Sequence, residues 1–307
     1  MNSVRRNRLQ STISIVFMLI VAVFLWRNWG HLAQSFTVLQ SVSLGYFWVA
    51  VPLVGVTFFL AASAYGFLAF RRLRFRELLV VELAAAFINR LVPSGLGGVG
   101  VHGLYLHKRT HTVAEATAVV SVNNLVGMTV HISLLALVVL TGVGGKLHLG
   151  WSYKQGWLLL GFVLVIVLGL AVPRVQRALA SFTRNLLASL RKYERQPHKL
   201  VYTVLALGTL TLINVLILHL AARSFGVWLD LSQLFIVYTG AVLLGAAVPT
   251  PGGLAGVEAG LVGGFMAYGV NGTTALAVAL AFRFATYWLP IIPGAIAFYI
   301  ARSKKLI

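Results

Sequence analysis

The sequence predicts an all-α polytopic membrane protein with about six full transmembrane helices and two re-entrant helical hairpins in inverted repeats. Three observations lead to this fold class. The chain has 307 residues, of which 59% are hydrophobic, and a mean hydropathy of +0.89. Its lysines and arginines fall in short clusters between apolar runs. A break rich in glycine and proline occurs twice, each time inside a long apolar run.

The apolar runs give the order of the elements. The first, 11–27, follows a basic N-terminus and ends at Trp26-Arg27 without a small-residue cleavage site, so we interpret it as a retained anchor and not a signal peptide. Further unbroken runs lie at 46–70, 113–142, 157–172, 200–222 and 274–300, and broken runs at 78–106 and 234–268. We assign all of them to a single integral membrane domain, 1–307.

The basic residues predict the orientation, because lysine and arginine are enriched in cytoplasmic loops. We take the N-terminus as cytoplasmic and let each broken run return to the side it entered. The basic residues of the loops then all lie in the cytoplasm, except Arg27, Lys146, Lys154 and Arg223. Both termini and the basic loop 173–199 are cytoplasmic, and 46–142 and 200–300 become inverted repeats. The alternative is that each broken run is a kinked full crossing.

The breaks themselves predict anion-binding sites. In the second, we interpret Thr250 as an N-cap with Pro251 at the first helical position, which leaves the amides of Gly252 and Gly253 free. In the first, Ser94 is the candidate cap before Gly95, Gly97 and Gly98. A helix N-terminus carries partial positive charge, and glycine lets a phosphate approach the backbone. The alternative is that these glycines only permit close helix contact.

Charged and polar side chains inside apolar runs add further candidates, since they are costly in lipid. Glu258 and Arg283 lie in otherwise uncharged runs, and we expect an ion pair that is either a structural lock or a substrate contact. Arg90 precedes the first break and could meet a lipid phosphate. Asn124 or its neighbour Asn123 should hydrogen-bond the first broken run. Tyr287 and Trp288 read as interfacial aromatic residues.

Several function classes fit poorly. The chain has no cysteine, which excludes disulfides and thiolate chemistry. It has no HExxH or GxSxG pattern and only six acidic residues, so we expect neither an enzyme nor a metal or other cofactor. The net charge of +19 does not indicate nucleic acid, because the basic residues do not form one polar face.

Three motifs resemble the transmembrane region of lysylphosphatidylglycerol synthases and their stand-alone flippase-like relatives. They are Arg90-Leu91-Val92-Pro93 through Gly97-Gly98, Pro249-Thr250-Pro251-Gly252-Gly253 with Glu258, and Arg283 through Tyr287-Trp288-Leu289-Pro290. The resemblance implies a multi-helix domain that moves a phospholipid between leaflets. The soluble aminoacyl-transferase domain of the synthases has no counterpart here, so we expect no lipid synthesis. Two positions depart from the family pattern: Asn123-Asn124 follow the first motif in place of a charged pair, and His102 stands near where the second copy has Glu258.

Residues and resemblance together predict a flippase or transporter in the bacterial cytoplasmic membrane, acting on an anionic or isoprenoid phospholipid. The headgroup would be held at the half-helix N-termini. One alternative is a non-catalytic membrane partner subunit of a lipid-modifying synthase or glycosyltransferase. Another is a small-solute carrier, which would have a closed polar cavity and no groove open to lipid.

Overall fold

A computed structural model describes residues 44–92, 96–141, 184, 187–248 and 250–307. The runs 11–27 and 157–172, most of the loop 173–199, and the site candidates Ser94 and Gly95 lie outside the described residues. The helices are α1 Leu44–Leu68, α2 Phe75–Asn89, α3 Leu96–Lys108, α4 Val113–Leu140, α5 Pro197–Ser224, α6 Leu231–Ala247, α7 Gly256–Ala267, α8 Gly272–Arg283 and α9 Ile291–Ser303. A π-helical turn, Phe284–Trp288, joins α8 to α9.

Four helical stretches in the described part of the chain are long and apolar enough to cross a membrane. They are Trp48–Leu68, Val113–Val138, Pro197–Ser224 and Gly272–Ser303. They confirm the spans expected at 46–70, 113–142, 200–222 and 274–300. The helices of the broken runs have only 12 to 17 residues. At about 1.5 Å per residue, none of these short helices covers the roughly 30 Å of a bilayer core.

The two short helices of each broken run pack antiparallel. Along α6 and α7, Gly245 lies against Val257, Ala241 against Gly260, and Val237 against Gly264. Along α2 and the α3 region, Ile88 lies against Gly97, Glu82 against His102, and Glu77 against Arg109. In both series the number rises on one helix as it falls on the other. Each broken run is therefore a helical hairpin and not a kinked helix. We call 75–108 hairpin one and 231–267 hairpin two.

The same order of elements occurs twice, with a long helix, a hairpin and a second long stretch. The first long helices, α1 and α5, run antiparallel. The Tyr193 hydroxyl, just before α5, donates to the Leu68 carbonyl at the end of α1 (2.9 Å), and burial raises the pKa of this phenol. Tyr46, near the start of α1, shares a core with Leu218 and Ala222 near the end of α5. Opposite directions of equivalent helices are what inverted repeats require.

The core has two parts, one around each hairpin. Hairpin two packs with the first half of α1, the second half of α5, and α8. Hairpin one packs with the second half of α1, α4 and the end of α9. Gly294 of α9 makes this packing close, since a Cβ there would lie 2.8 Å from Cβ of Phe87 in α2. In the final span, α8 thus packs against hairpin two and α9 packs against hairpin one. The π-helical turn lies between α8 and α9.

Candidate functional site

The π-helical turn of the final span lies between Arg90, just after α2, and the second break. Its defining bond runs from the Leu289 amide to the Phe284 carbonyl (2.9 Å), one residue longer than an α-helical bond. Pro290 follows and has no N–H, so the Thr286 carbonyl four residues earlier lacks its helical donor. Such π-turns occur frequently at functional sites. Here the turn presents backbone carbonyls toward hairpin one.

Arg90 of hairpin one supplies a donor to the Thr286 carbonyl and bonds two further carbonyls. Its Nη2 donates to the Thr286 carbonyl (3.0 Å), its Nε to the Tyr287 carbonyl (2.7 Å) and its Nη1 to the Ala86 carbonyl (2.6 Å). The residue is only 8% exposed. These bonds occupy three of the five N–H donors of the guanidinium group. Arg90 therefore clamps the end of α2 to the final span, and its other two donors have no hydrogen-bond partner among the described residues.

Glu258 and Arg283 form the expected ion pair. Arg283 Nε lies 2.7 Å from Glu258 Oε1, and the two side chains are 8% and 17% exposed for arginine and glutamate. Arg283 Nη2 also donates to the Gly252 carbonyl in the second break (3.2 Å). Within the described part of the chain, Glu258 Oε2 is buried and has no hydrogen-bond donor. The pair thus ties α7, α8 and the break together, and leaves one buried acceptor oxygen.

Tyr287 joins the two arginines into one network. The Cζ atoms of Arg283 and Arg90 lie 4.2 Å and 5.2 Å from the centroid of its ring. Its hydroxyl donates to the Pro251 carbonyl (3.3 Å), and a Cβ added at Gly252 would meet the ring at 2.3 Å. Tyr287 and Trp288 are 3% and 7% exposed, so their interpretation as interfacial aromatic residues was wrong. Their positions in a mostly apolar helix gave no sign of this long-range role.

The local geometry of the second break differs from the prediction. Helix α7 begins at Gly256 and not at Pro251, because Gly252, Gly253 and Ala255 have positive φ angles of 60°, 67° and 66° and form an extra turn. Thr250 is not an N-cap, since its hydroxyl donates to the Leu254 carbonyl (2.8 Å). Glu258 consequently lies in the first turn of α7, not two turns into it. The sequence concealed this because alanine seldom adopts a positive φ.

The glycine amides are also less free than predicted. The Gly253 amide donates to the Thr250 carbonyl (3.2 Å), and the Gly98 amide donates to the Asn89 side chain. Asn89, which sequence reasoning did not select, therefore caps α3. A Cβ at Gly97 would lie 2.5 Å from the Ile88 side chain. The alternative interpretation, that these glycines permit close packing, therefore explains why glycine stands at position 97 against Ile88 and at position 252 against Tyr287.

The asparagines after hairpin one do not reach the described part of the first break. Asn124 is exposed. Asn123 interacts instead with Tyr65 of α1. The ring of Tyr65 stacks on His102 at 3.8 Å, and His102 lies 2.9 Å from Glu82. Glu82 and His102 of hairpin one thus form a polar cluster with Tyr65 of α1 and Asn123 of α4.

Two open apolar grooves flank α3. The groove toward α4, about 390 Å³, is lined by residues that include Gly100, Gly103, Leu104 and Val120. The groove toward α9, about 440 Å³, has Phe298 in its wall and Arg302 as its cation. No described atom lies within 4 Å of where a Cβ would stand at Gly100 or Gly103. The glycine face of α3 therefore keeps both grooves open.

Comparison with known proteins places these features in a family. The sequence model of the lysylphosphatidylglycerol synthase TM region matches residues 11–294, which include both breaks and the whole arginine network. The chain belongs to this family. A UPF0104 membrane protein of Methanothermobacter thermautotrophicus is 26% identical over 219 residues, which are 70% of this chain and 60% of that protein. The family match confirms the resemblance seen in the three motifs and the assignment as a multi-pass membrane protein.

Proposed function

We propose that this protein is a flippase that moves a phospholipid or a lipid-linked headgroup across the cytoplasmic membrane. The observation that carries the proposal is the buried network of Arg90, Tyr287, Arg283 and Glu258, which connects the end of α2, just before the first break, with the second break. Paired discontinuous helices that meet in this way are how many transporters build a binding site near the midplane. In this proposal, both hairpins re-enter the face they came from, and both termini are cytoplasmic.

The network suggests where an anionic headgroup would bind. Two N–H donors of Arg90 have no hydrogen-bond partner in the part of the chain that the structure describes, and Arg283 lies beside the Gly252 backbone. The buried Glu258 Oε2 is an acceptor that a hydroxyl or ammonium group of the headgroup could satisfy. A ligand with both an anionic and a donor group would therefore fit better than inorganic phosphate. The other candidate residues would act indirectly. The shape of the breaks would depend on Gly97, Gly98, Thr250 and Gly253, and the shape of α4, the helix after hairpin one, on Asn124.

The grooves beside α3 favour lipid over a small solute. Their walls are apolar and open, whereas a solute carrier would enclose a polar cavity. An acyl chain in the groove toward α9 would run along Val101 and Leu104 and pass Phe298, with Arg302 available to a phosphate. This arrangement keeps the chains in an apolar environment while the headgroup moves through the protein.

A leaflet-resolved assay in proteoliposomes tests the proposal. The liposomes contain only this protein and a fluorescent anionic or isoprenoid phospholipid, and an impermeant quencher reports the outer leaflet. We expect faster transbilayer movement than in protein-free liposomes. Arg302→Gln should slow this movement, and the control Lys304→Gln, at an exposed position nearby, should slow it less. Background rates across a panel of such lipids would overturn the flippase proposal and favour the role of a membrane partner subunit for a synthase or glycosyltransferase.

A further inference from the structure

The polar cluster of hairpin one lies outside the arginine network and contains two titratable side chains in direct contact. His102 Nε2 lies 2.9 Å from Glu82 Oε2, and His102 Nδ1 lies 2.9 Å from the Gly98 carbonyl oxygen. His102 is 4% exposed and the Glu82 side chain 15%. We propose that Glu82 and His102 together form a proton-binding site that controls how the start of α3 is held in hairpin one.

The two contacts of His102 can be hydrogen bonds at the same time only if the pair holds an extra proton. A carbonyl oxygen only accepts, so His102 Nδ1 must carry a hydrogen to bond Gly98. If His102 is neutral, its Nε2 is then an acceptor and faces a carboxylate that also only accepts. Two acceptors at 2.9 Å repel each other. The other neutral tautomer, with its hydrogen on Nε2, bonds Glu82 but leaves Nδ1 without a hydrogen for the Gly98 carbonyl. Both contacts are favourable together only when one more proton is present, either on Glu82 as a carboxylic acid or on His102 as an imidazolium.

The surroundings hold few charges that could replace this proton. Tyr65 of α1 stacks on the His102 ring, with 9° between the planes, and Asn123 of α4 approaches Tyr65. Glu82 forms no ion pair with a lysine or arginine among the described residues. The other charged groups of hairpin one and α9 make different contacts. Glu77 pairs with Arg109, and Arg90 donates to backbone carbonyls. Arg302 lies in the groove toward α9.

Release of the proton has a structural consequence. The pair can no longer keep both contacts, so His102 must lose either Glu82 or the Gly98 carbonyl. Gly98 lies at the start of α3, where its amide is held by Asn89. Loss of Glu82 would loosen the link between α2 and α3, and loss of the Gly98 carbonyl would release the His102 side chain from the first turn of α3. The coupling of this event to lipid movement rests on the proposed function, whereas proton binding itself does not.

Infrared difference spectra after a pH step test proton binding directly. The protein is held in nanodiscs without added substrate, and its six acidic side chains keep the carboxyl background low. We expect one carboxyl or imidazolium signal that is lost in both Glu82→Gln and His102→Gln. The matched control is His107→Gln, an exposed histidine of the same helix, which should keep the signal. Identical spectra in wild type and the two variants of the pair would overturn the proposal.

Glu82→Gln also tests the structural argument. A glutamine amide donates to a neutral His102 and so imitates the protonated pair, and we expect a folded yield close to wild type. If that variant does not fold, His102→Gln and the wild-type spectrum still decide the question, because the signal must vanish with either partner. Loss of folding in Glu82→Gln together with an unchanged spectrum in His102→Gln would contradict the proposal.

A transport measurement then separates this inference from the proposed function. In proteoliposomes, an imposed pH gradient should change the lipid translocation rate of wild type several-fold and leave the rate of Glu82→Gln unaffected. Proton binding with no lipid movement at any pH would refute the flippase and preserve the site. Lipid movement without the infrared signal would refute the site and preserve the flippase.

Discussion

At the scale of single residues, the Glu258–Arg283 pair decides how the second break is held. Glu258→Gln leaves a buried guanidinium without its counter-charge, a loss that costs about 3–5 kcal/mol in buried pairs. We expect a lower folded yield and a lower melting temperature, measured by size-exclusion chromatography and thermal unfolding. The double variant Glu258→Arg with Arg283→Glu should recover only part of the folded yield and melting temperature, because a carboxylate at position 283 would face the Gly252 carbonyl. Normal yield with lost transport in Glu258→Gln would instead place this residue in the substrate path.

Arg90 makes a second prediction at this scale. Lysine keeps the charge, but its single ammonium group cannot match the planar fork that reaches three carbonyls. Arg90→Lys should destabilise the protein by about 1–3 kcal/mol, as expected when buried acceptors lose their donors. The control is Arg76→Lys, an exposed position on the same helix. Equal melting temperatures for the two variants would show that the clamp contributes little to stability.

At the scale of elements, hairpin two depends on a glycine at each close contact of α6 with α7. A Cβ at Gly260 would lie 2.5 Å from Ala241 Cα, which is backbone and cannot turn away. Gly260→Ala should therefore destabilise by about 1–3 kcal/mol. Gly263 lies one turn along on the same helix, and no described atom lies within 4 Å of where its Cβ would stand. Gly263→Ala should therefore be neutral or raise the melting temperature through better helix propensity. A similar loss for both variants would mean that flexibility, and not close packing, is what these glycines provide.

Sequence reasoning succeeds for elements and fails where a contact is distant in the chain. Hydropathy identified the four described spans, and the two breaks correctly located both hairpins. The Glu258–Arg283 pair was predictable because an isolated charge in an apolar run needs a partner. The hydrogen bonds from Arg90 to the π-helical turn were not predictable, because no sequence pattern around Arg90 or around the turn indicates that the two are in contact. The extra turn at Ala255 was also hidden, because a positive φ at alanine has no sequence signal.

At the scale of the whole molecule, the proposed mechanism depends on opposite orientation of the two hairpins. Because the chain has no native cysteine, single substitutions at Arg74, Lys108, Gly226 and Asn271 can be labelled without background. All four residues are exposed. An impermeant thiol reagent applied to intact cells should label Gly226→Cys and Asn271→Cys but neither Arg74→Cys nor Lys108→Cys. Opposite labelling of Arg74→Cys and Lys108→Cys, or of the other two, would mean that the hairpin between them connects the two faces, and alternating access by inverted hairpins would fail.

The bond between Arg90 and the Tyr287 carbonyl joins residues 197 positions apart, which affects how the protein is made. Ribosomes add about 5–20 residues per second, so Arg90 is synthesised about 10–40 seconds before Thr286 and Tyr287. During that interval a guanidinium group in the bilayer would lack the carbonyls that later satisfy it. Hairpin one should therefore wait at the membrane surface, or be held by an insertase, until the last span arrives. Biogenesis of this protein would then end with the hairpin that is synthesised first.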